Sequence, residues 1–190
     1  MLSARFRRYS DLIVVPLGNA VAKTGVGPNV LTLAGLLFSI AAAGAFAYGN
    51  LVYAFILLFL GSLFDVLDGA VAKAQRRVTK FGGYLDSVAD RYADAFVLIG
   101  IAMYLNEHHV LVMVVIVGSI LVSYSRARAE TVIDKCDVGL AERSERLIIL
   151  MVATLLAIAG VNLFYEALVL LAVLTHLTVL QRILYTRKEI

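Results

Sequence analysis

Apolar runs of about 20 residues recur along this chain, and the breaks between them hold only a few polar residues. A helix of that length spans a hydrocarbon layer about 30 Å thick. Helices can cross it because they satisfy their own backbone hydrogen bonds. The first run opens at Pro28 and Asn29 and continues to about Tyr48, where Gly49 and Asn50 break it. The second covers Leu51 to about Ala74, the third about Gly82 to Leu105, and the fourth Val110 to about Ala129. The fifth covers about Arg146 to Ala159, with a polar start near Leu140, and the sixth about Leu163 to Leu184. The fold expected is an all-α integral membrane protein, a single domain over residues 1–190 with a six-helix transmembrane bundle over 28–188. Composition agrees: 61% of the 190 residues are hydrophobic and the mean hydropathy is +0.88, more than a soluble core of this size accommodates.

Charge tests the helix count. Arg5, Arg7, Arg8 and Lys23 precede the first run, and Lys73, Arg76, Arg77, Lys80 and Arg91 surround the second-to-third connection. Arg126, Arg128, Lys135, Arg143 and Arg146 surround the fourth-to-fifth, and Arg182, Arg187 and Lys188 follow. The alternate connections, at Gly49-Asn50, Asn106–His109 and Gly160–Asn162, carry no Lys or Arg. All 17 basic residues therefore fall on one side, which the positive-inside rule makes cytoplasmic, with both termini there. Residues 1–24 mix arginines with apolar residues interrupted by Asp11, Pro16 and Asn19. They read as an amphipathic juxtamembrane helix lying against anionic headgroups, not as a cleaved signal peptide. The cell membrane is the expected location, and no nucleic-acid partner is expected. A lone cysteine, Cys136, excludes disulfides and thiolate metal sites.

Four aspartates stand out. Asp65 and Asp68 sit at i, i+3 near the inner end of the second run, and Asp86 and Asp90 at i, i+4 near the inner start of the third. Each spacing puts a pair on one helical face, and a short connection makes the two helices antiparallel neighbours. A charge within a membrane helix costs at least about 2.5–3.5 kcal/mol, so four in register need a purpose beyond decoration. Converging carboxylates must take up protons or share cations. An all-oxygen set favours hard ions such as Mg²⁺, Mn²⁺ or Ca²⁺, and two adjacent ions suit the clamping of a diphosphate. Gly69, Ala72 and Gly82 leave room on the adjoining surfaces for a flat base or sugar.

The segments Asp65-Val-Leu-Asp68-Gly69-Ala-Val-Ala72-Lys73 and Gly82-Gly-Tyr-Leu-Asp86-Ser-Val-Ala-Asp90 closely resemble the signature of the CDP-alcohol phosphatidyltransferase family. That signature reads D-x2-D-G-x2-A-R, a spacer, then G-x3-D-x3-D. Lys73 stands where arginine is usual, keeping the charge and losing the bidentate fork. The resemblance implies six helices behind a juxtamembrane helix, a homodimer, and two Mg²⁺ (or Mn²⁺) ions held by Asp65, Asp68, Asp86 and Asp90. It also implies that Asp90 is the base that deprotonates an acceptor hydroxyl, that a CDP-activated lipid is the donor, and that CMP leaves. Gly69, Ala72, Lys73 and Gly82 would line the CDP-lipid pocket. Asn29 and Thr32, in Pro-Asn-Val-Leu-Thr, resemble a further family motif near the nucleotide, although Asn29 also suits a helix cap.

The second half bears on the acceptor. Ser-Tyr-Ser-Arg126-Ala-Arg128-Ala-Glu130 and Gly139-Leu-Ala-Glu142-Arg143-Ser-Glu145-Arg146-Leu are similar to the inositol-phosphate branch of the family. A phosphorylated acceptor needs cations, and Arg126, Arg128, Arg143 and Arg146 supply them; Arg182 is a further candidate. The bland alternative is that these arginines serve topology alone. Asp94 extends the Asp86/Asp90 face by one turn and is expected to support the site from behind. The same chemistry with glycerol phosphate or serine as acceptor stays open, as do an intramembrane prenyltransferase and an ion-coupled transporter. The first of these two normally has more helices, and the second often shows inverted repeats.

Overall fold

The structure, a computed structural model, describes residues 14–190. Residues 14–22 are helical, so part of the expected juxtamembrane helix is formed; residues 1–13, with Arg5, Arg7 and Arg8, lie outside the described residues. Six long helices follow: α1 (Pro28–Ala47), α2 (Leu51–Ala74), α3 (Lys80–Leu105), α4 (His109–Ala129), α5 (Arg143–Ile158) and α6 (Phe164–Glu189). Among the described residues there is no strand.

Local chemistry sets the boundaries. Pro28 occupies the first turn of α1 with Gly27 at the N-cap, where a missing N–H costs nothing. The Asn50 side chain accepts from the Tyr53 N–H at 3.4 Å to start α2, after a turn in which Gly49 adopts φ +72°. Thr79 caps α3 by accepting from the Gly82 N–H at 3.0 Å, so α3 begins two residues earlier than the apolar pattern indicated.

Four helices, α1, α2, α4 and α6, are long and apolar enough to cross a membrane by themselves. The other two differ. α3 carries Lys80, Asp86, Asp90, Arg91 and Asp94 in its first 15 residues, and α5 has 16 residues opening on Arg143, Glu145 and Arg146. Outward faces are apolar: Val30, Leu33 and Leu37 on α1, and Val173, Leu177, Leu180 and Leu184 on α6, are exposed. Such apolar stripes suit lipid contact.

α1 packs along α2 and α3, α4 pairs with α6, and α5 lies against α2 and α6. The α1–α2 approach is close at Gly35 and Gly61, where a Cβ on Gly61 would stand 2.9 Å from Ser39 Oγ. That contact lies one turn before Asp65. The main buried cluster fills the end of the bundle carrying the 49–50, 106–108 and 160–163 turns, hereafter the turn end; it includes Phe46, Leu58, Ile101, Phe164 and Leu168. The opposite end, where α2 meets α3 and α4 meets α5, is the charged end.

Candidate active site

The antiparallel α2–α3 pair brings one oxygen each of Asp65, Asp86 and Asp90 within 4.8 Å of one another. A hard divalent cation needs oxygen donors at about 2.0–2.6 Å, and three carboxylates this close can hold one with small rotamer changes. Asp68 stands apart from this group. It is 6% exposed and accepts a 2.5 Å hydrogen bond from the Thr32 hydroxyl of α1, facing the cavity described next. The expected quartet is therefore three clustered carboxylates and a fourth committed to α1.

Beside the cluster lies a cavity of about 180 Å³ whose wall includes Asn29, Thr32, Gly69, Ala72, Lys73 and Gly82, together with Asp68 and Asp86. All six residues expected to line a nucleotide pocket thus share one wall. A Cβ added to Gly69 would meet nothing within 4 Å, so that position opens onto empty space rather than a packed neighbour. Because Gly27 takes the N-cap of α1 with no side-chain bond, Asn29 is not a cap. Gly82 lies close to it, 3.3 Å separating a built Cβ there from Asn29 Oδ1. Arg77, Val78, Thr79 and Gly83 line the same cavity. Arg77, Val78 and Thr79 sit in the spacer between the two aspartate segments, and only the chain reversal after α2 brings them in.

The four expected acceptor arginines do not gather. Arg143, the first residue of α5, reaches into the carboxylates: its Nη1 is 2.5 Å from Asp65 Oδ2 and 3.0 Å from Asp90 Oδ1, and its Nε is 3.3 Å from Asp94 Oδ1. Arg146 is 5% exposed and donates to Asp94 Oδ2 at 2.6 Å and to the Ala141 carbonyl at 3.0 Å. Asp94 thereby bridges both arginines of α5, the supporting place its spacing suggested. Arg126 meets Glu130 at 3.0 Å, Asp137 at 2.9 Å and Glu142 at 3.7 Å, so it faces the start of α5. Arg128, two residues on, lines a different cavity between α4 and α6.

Arg182 is 2% exposed and ties the 130–142 connection down, donating from Nε to the Val138 carbonyl at 2.8 Å and from Nη1 to the Val122 carbonyl. One turn earlier, the Thr178 hydroxyl accepts from the Leu140 and Ala141 N–H groups at 3.1 and 3.0 Å. These two α6 residues fix where α5 starts and so where Arg143 stands. Thr178 carries no sequence signal, since a threonine in an apolar helix ordinarily bonds its own i−4 carbonyl; it does that here too, to Leu174 at 2.8 Å.

Comparison with known proteins gives a consistent picture. The model of the family described as CDP-alcohol phosphatidyltransferase matches residues 26–180. Archaetidylinositol phosphate synthase of Pyrococcus horikoshii is 38% identical over 92% of this chain and 90% of its own length. Phosphatidylinositol phosphate synthase of Corynebacterium glutamicum is 36% identical over 100% of this chain and 90% of its own. Among solved structures, phosphatidylinositol phosphate synthase of Mycobacterium tuberculosis with CDP-DAG bound superposes with a TM-score of 0.81 at 31% identity, covering 92% of this chain and 93% of that one. The same enzyme in complex with manganese and citrate gives 0.80 at 31% identity, covering 91% and 88%.

Proposed function

This chain belongs to the CDP-alcohol phosphatidyltransferase family, and we propose that it transfers the phosphatidyl-type (or archaetidyl) group of a CDP-activated lipid to a hydroxyl of inositol phosphate, releasing CMP. The observation that carries the reading is the junction of two sites: the Asp65/Asp86/Asp90 cluster and the cavity lined by Asn29, Thr32, Gly69, Ala72, Lys73 and Gly82 share Asp86. A diphosphate seated at that junction has its nucleotide in the cavity and its phosphates at the carboxylates.

The cluster fits divalent cations, two by our reading, with Asp65, Asp86 and Asp90 as donors and Asp68 joining once it turns from Thr32. Mg²⁺ is the expected ion, and Mn²⁺ is supported by the manganese complex of the mycobacterial enzyme. Such ions supply positive charge that offsets charge building on the leaving phosphate. Arg143 leaves the three clustered carboxylates partly balanced, which keeps them together while preserving an attraction for cations. Lys73 adds a cation at the cavity wall. Asp90 accepts the proton of the acceptor hydroxyl; the freed oxygen forms a bond to the lipid-side phosphorus, and the bond to the CMP oxygen breaks in line, CMP taking the electron pair. Arg126 and Arg143, linked through the Glu142 turn, supply the charge that holds the acceptor's phosphate.

All six helices cross the membrane in this reading. α3 and α5 keep their charged turns in the shared site rather than in lipid, and the charged end faces the cytoplasm. A homodimer is expected from the family. The decisive assay supplies purified protein with Mg²⁺, a CDP-lipid and one acceptor at a time, and follows CMP. Turnover with inositol phosphate supports the reading. Turnover with glycerol phosphate or serine instead overturns the acceptor and leaves the reaction class.

A further inference from the structure

A cavity of about 400 Å³ lies away from the carboxylates, in the outer groove between α4 and α6 at the charged end. Its wall is mostly apolar, with Leu121, Val132, Val179 and Ile183 among the lining residues. Three arginines, Arg128, Arg182 and Arg187, also line it, and no carboxylate does. Arg182 is committed to the Val138 and Val122 carbonyls. Arg128 and Arg187 are exposed; Arg128 reaches the Thr131 hydroxyl at 3.4 Å, too long to satisfy a guanidinium.

We propose that this groove is a binding site for an anionic phospholipid of the surrounding membrane, with one acyl chain along the apolar wall and the phosphate between Arg128 and Arg187. The charge pattern selects this occupant. A small soluble anion would use the arginines and leave the apolar wall wet. A zwitterionic lipid would fill the wall and bring its own cation to a rim that already holds two. A second copy of the chain docked here about a two-fold axis would present the same patch on both sides, cationic and without a carboxylate to meet Arg128 and Arg187. An anionic lipid satisfies wall and rim together, at the depth where headgroup phosphates lie.

The site has a route to the reaction centre. Arg182 joins the Val122 carbonyl of α4 to the Val138 carbonyl inside the 130–142 connection, and that connection leads into Arg143. Filling the groove over Arg182 restrains α6 against α4 and steadies the start of α5.

The test is thermal unfolding of the purified protein, read by labelling of Cys136, which is the only cysteine and is buried when folded. Nanodiscs of phosphatidylcholine alone are compared with nanodiscs containing phosphatidylglycerol. The wild type is expected to unfold about 3 °C or more higher in the anionic bilayer. Arg187→Gln and Ile183→Trp, which remove one rim charge and fill the groove, should each lose most of that increment. Arg76→Gln with Lys80→Gln, two cations removed elsewhere at the charged end, should keep it. An equal increment in all variants overturns the proposal. So does inorganic phosphate reproducing the shift, which marks a plain anion site, or a change of oligomeric mass in Arg187→Gln, which marks an interface between copies.

Discussion

At the turn end, Phe164 meets Phe46 edge-on at 6.0 Å and Tyr104 at 5.5 Å, over a wall of buried Leu and Val. At the charged end, Arg143 contacts Asp65, Asp90 and Asp94, while Arg146 and Arg182 donate to backbone carbonyls. The first region is held by packing, which has little directional preference and tolerates similar shapes. The second is held by directional bonds whose loss leaves buried charge unpaired. One end is therefore built to stay put and the other to hold charge that a ligand can take over. That division predicts which substitutions change chemistry and which change stability alone.

The two ends differ most in what a substitution at Asp90 does. Asp90→Asn should lower CMP release by about 10³-fold or more with the protein still folded in the membrane; retained turnover removes Asp90 from the reaction. Chelation of divalent ions should have a similarly large effect on CMP release with unchanged helical circular dichroism, reversible on adding Mg²⁺. Arg143→Gln sharpens the contrast. Activity should fall by about 100-fold, and unfolding temperature should drop without metal and recover with Mg²⁺, because an added cation replaces the lost guanidinium. An unrecovered loss would make Arg143 a plain structural brace. Gly69→Leu should raise KM for the CDP-lipid by about tenfold with little change in stability, since its side chain enters the cavity and not a neighbour. Smallest in catalytic effect is Phe164→Ala at the turn end. It should destabilise by about 3 kcal/mol yet leave KM of the folded fraction unchanged; a shift in KM would couple the two ends.

Helix order and most boundaries were legible because apolar runs of spanning length, broken by a few polar residues, mark the helices, four of which are apolar enough to cross a membrane by themselves. The second run, Leu51 to about Ala74, coincides with α2. Differences arise where polar side chains decide: Thr79 starts α3 early, and Arg143 opens α5 ahead of its apolar run because its charge is spent on Asp65, Asp90 and Asp94. Six residues expected to line a nucleotide pocket share one cavity wall because those on α1 and on α2 sit at i, i+3 and i+4 spacings, where periodicity fixes the face, and Gly82 of α3 joins them.

Sequence by itself determined the order of the helices and the meeting of aspartates from α2 and α3, three of the expected four, since local spacing and a short connection leave few alternatives. Only the tertiary structure decided that Asp68 bonds Thr32, that Arg126 meets Glu142 while Arg128 lines the α4–α6 cavity, and that Arg143 belongs among the carboxylates. A helix turns 100° per residue, so neighbours in sequence face apart, and partners tens of residues away are chosen by how the helices pack.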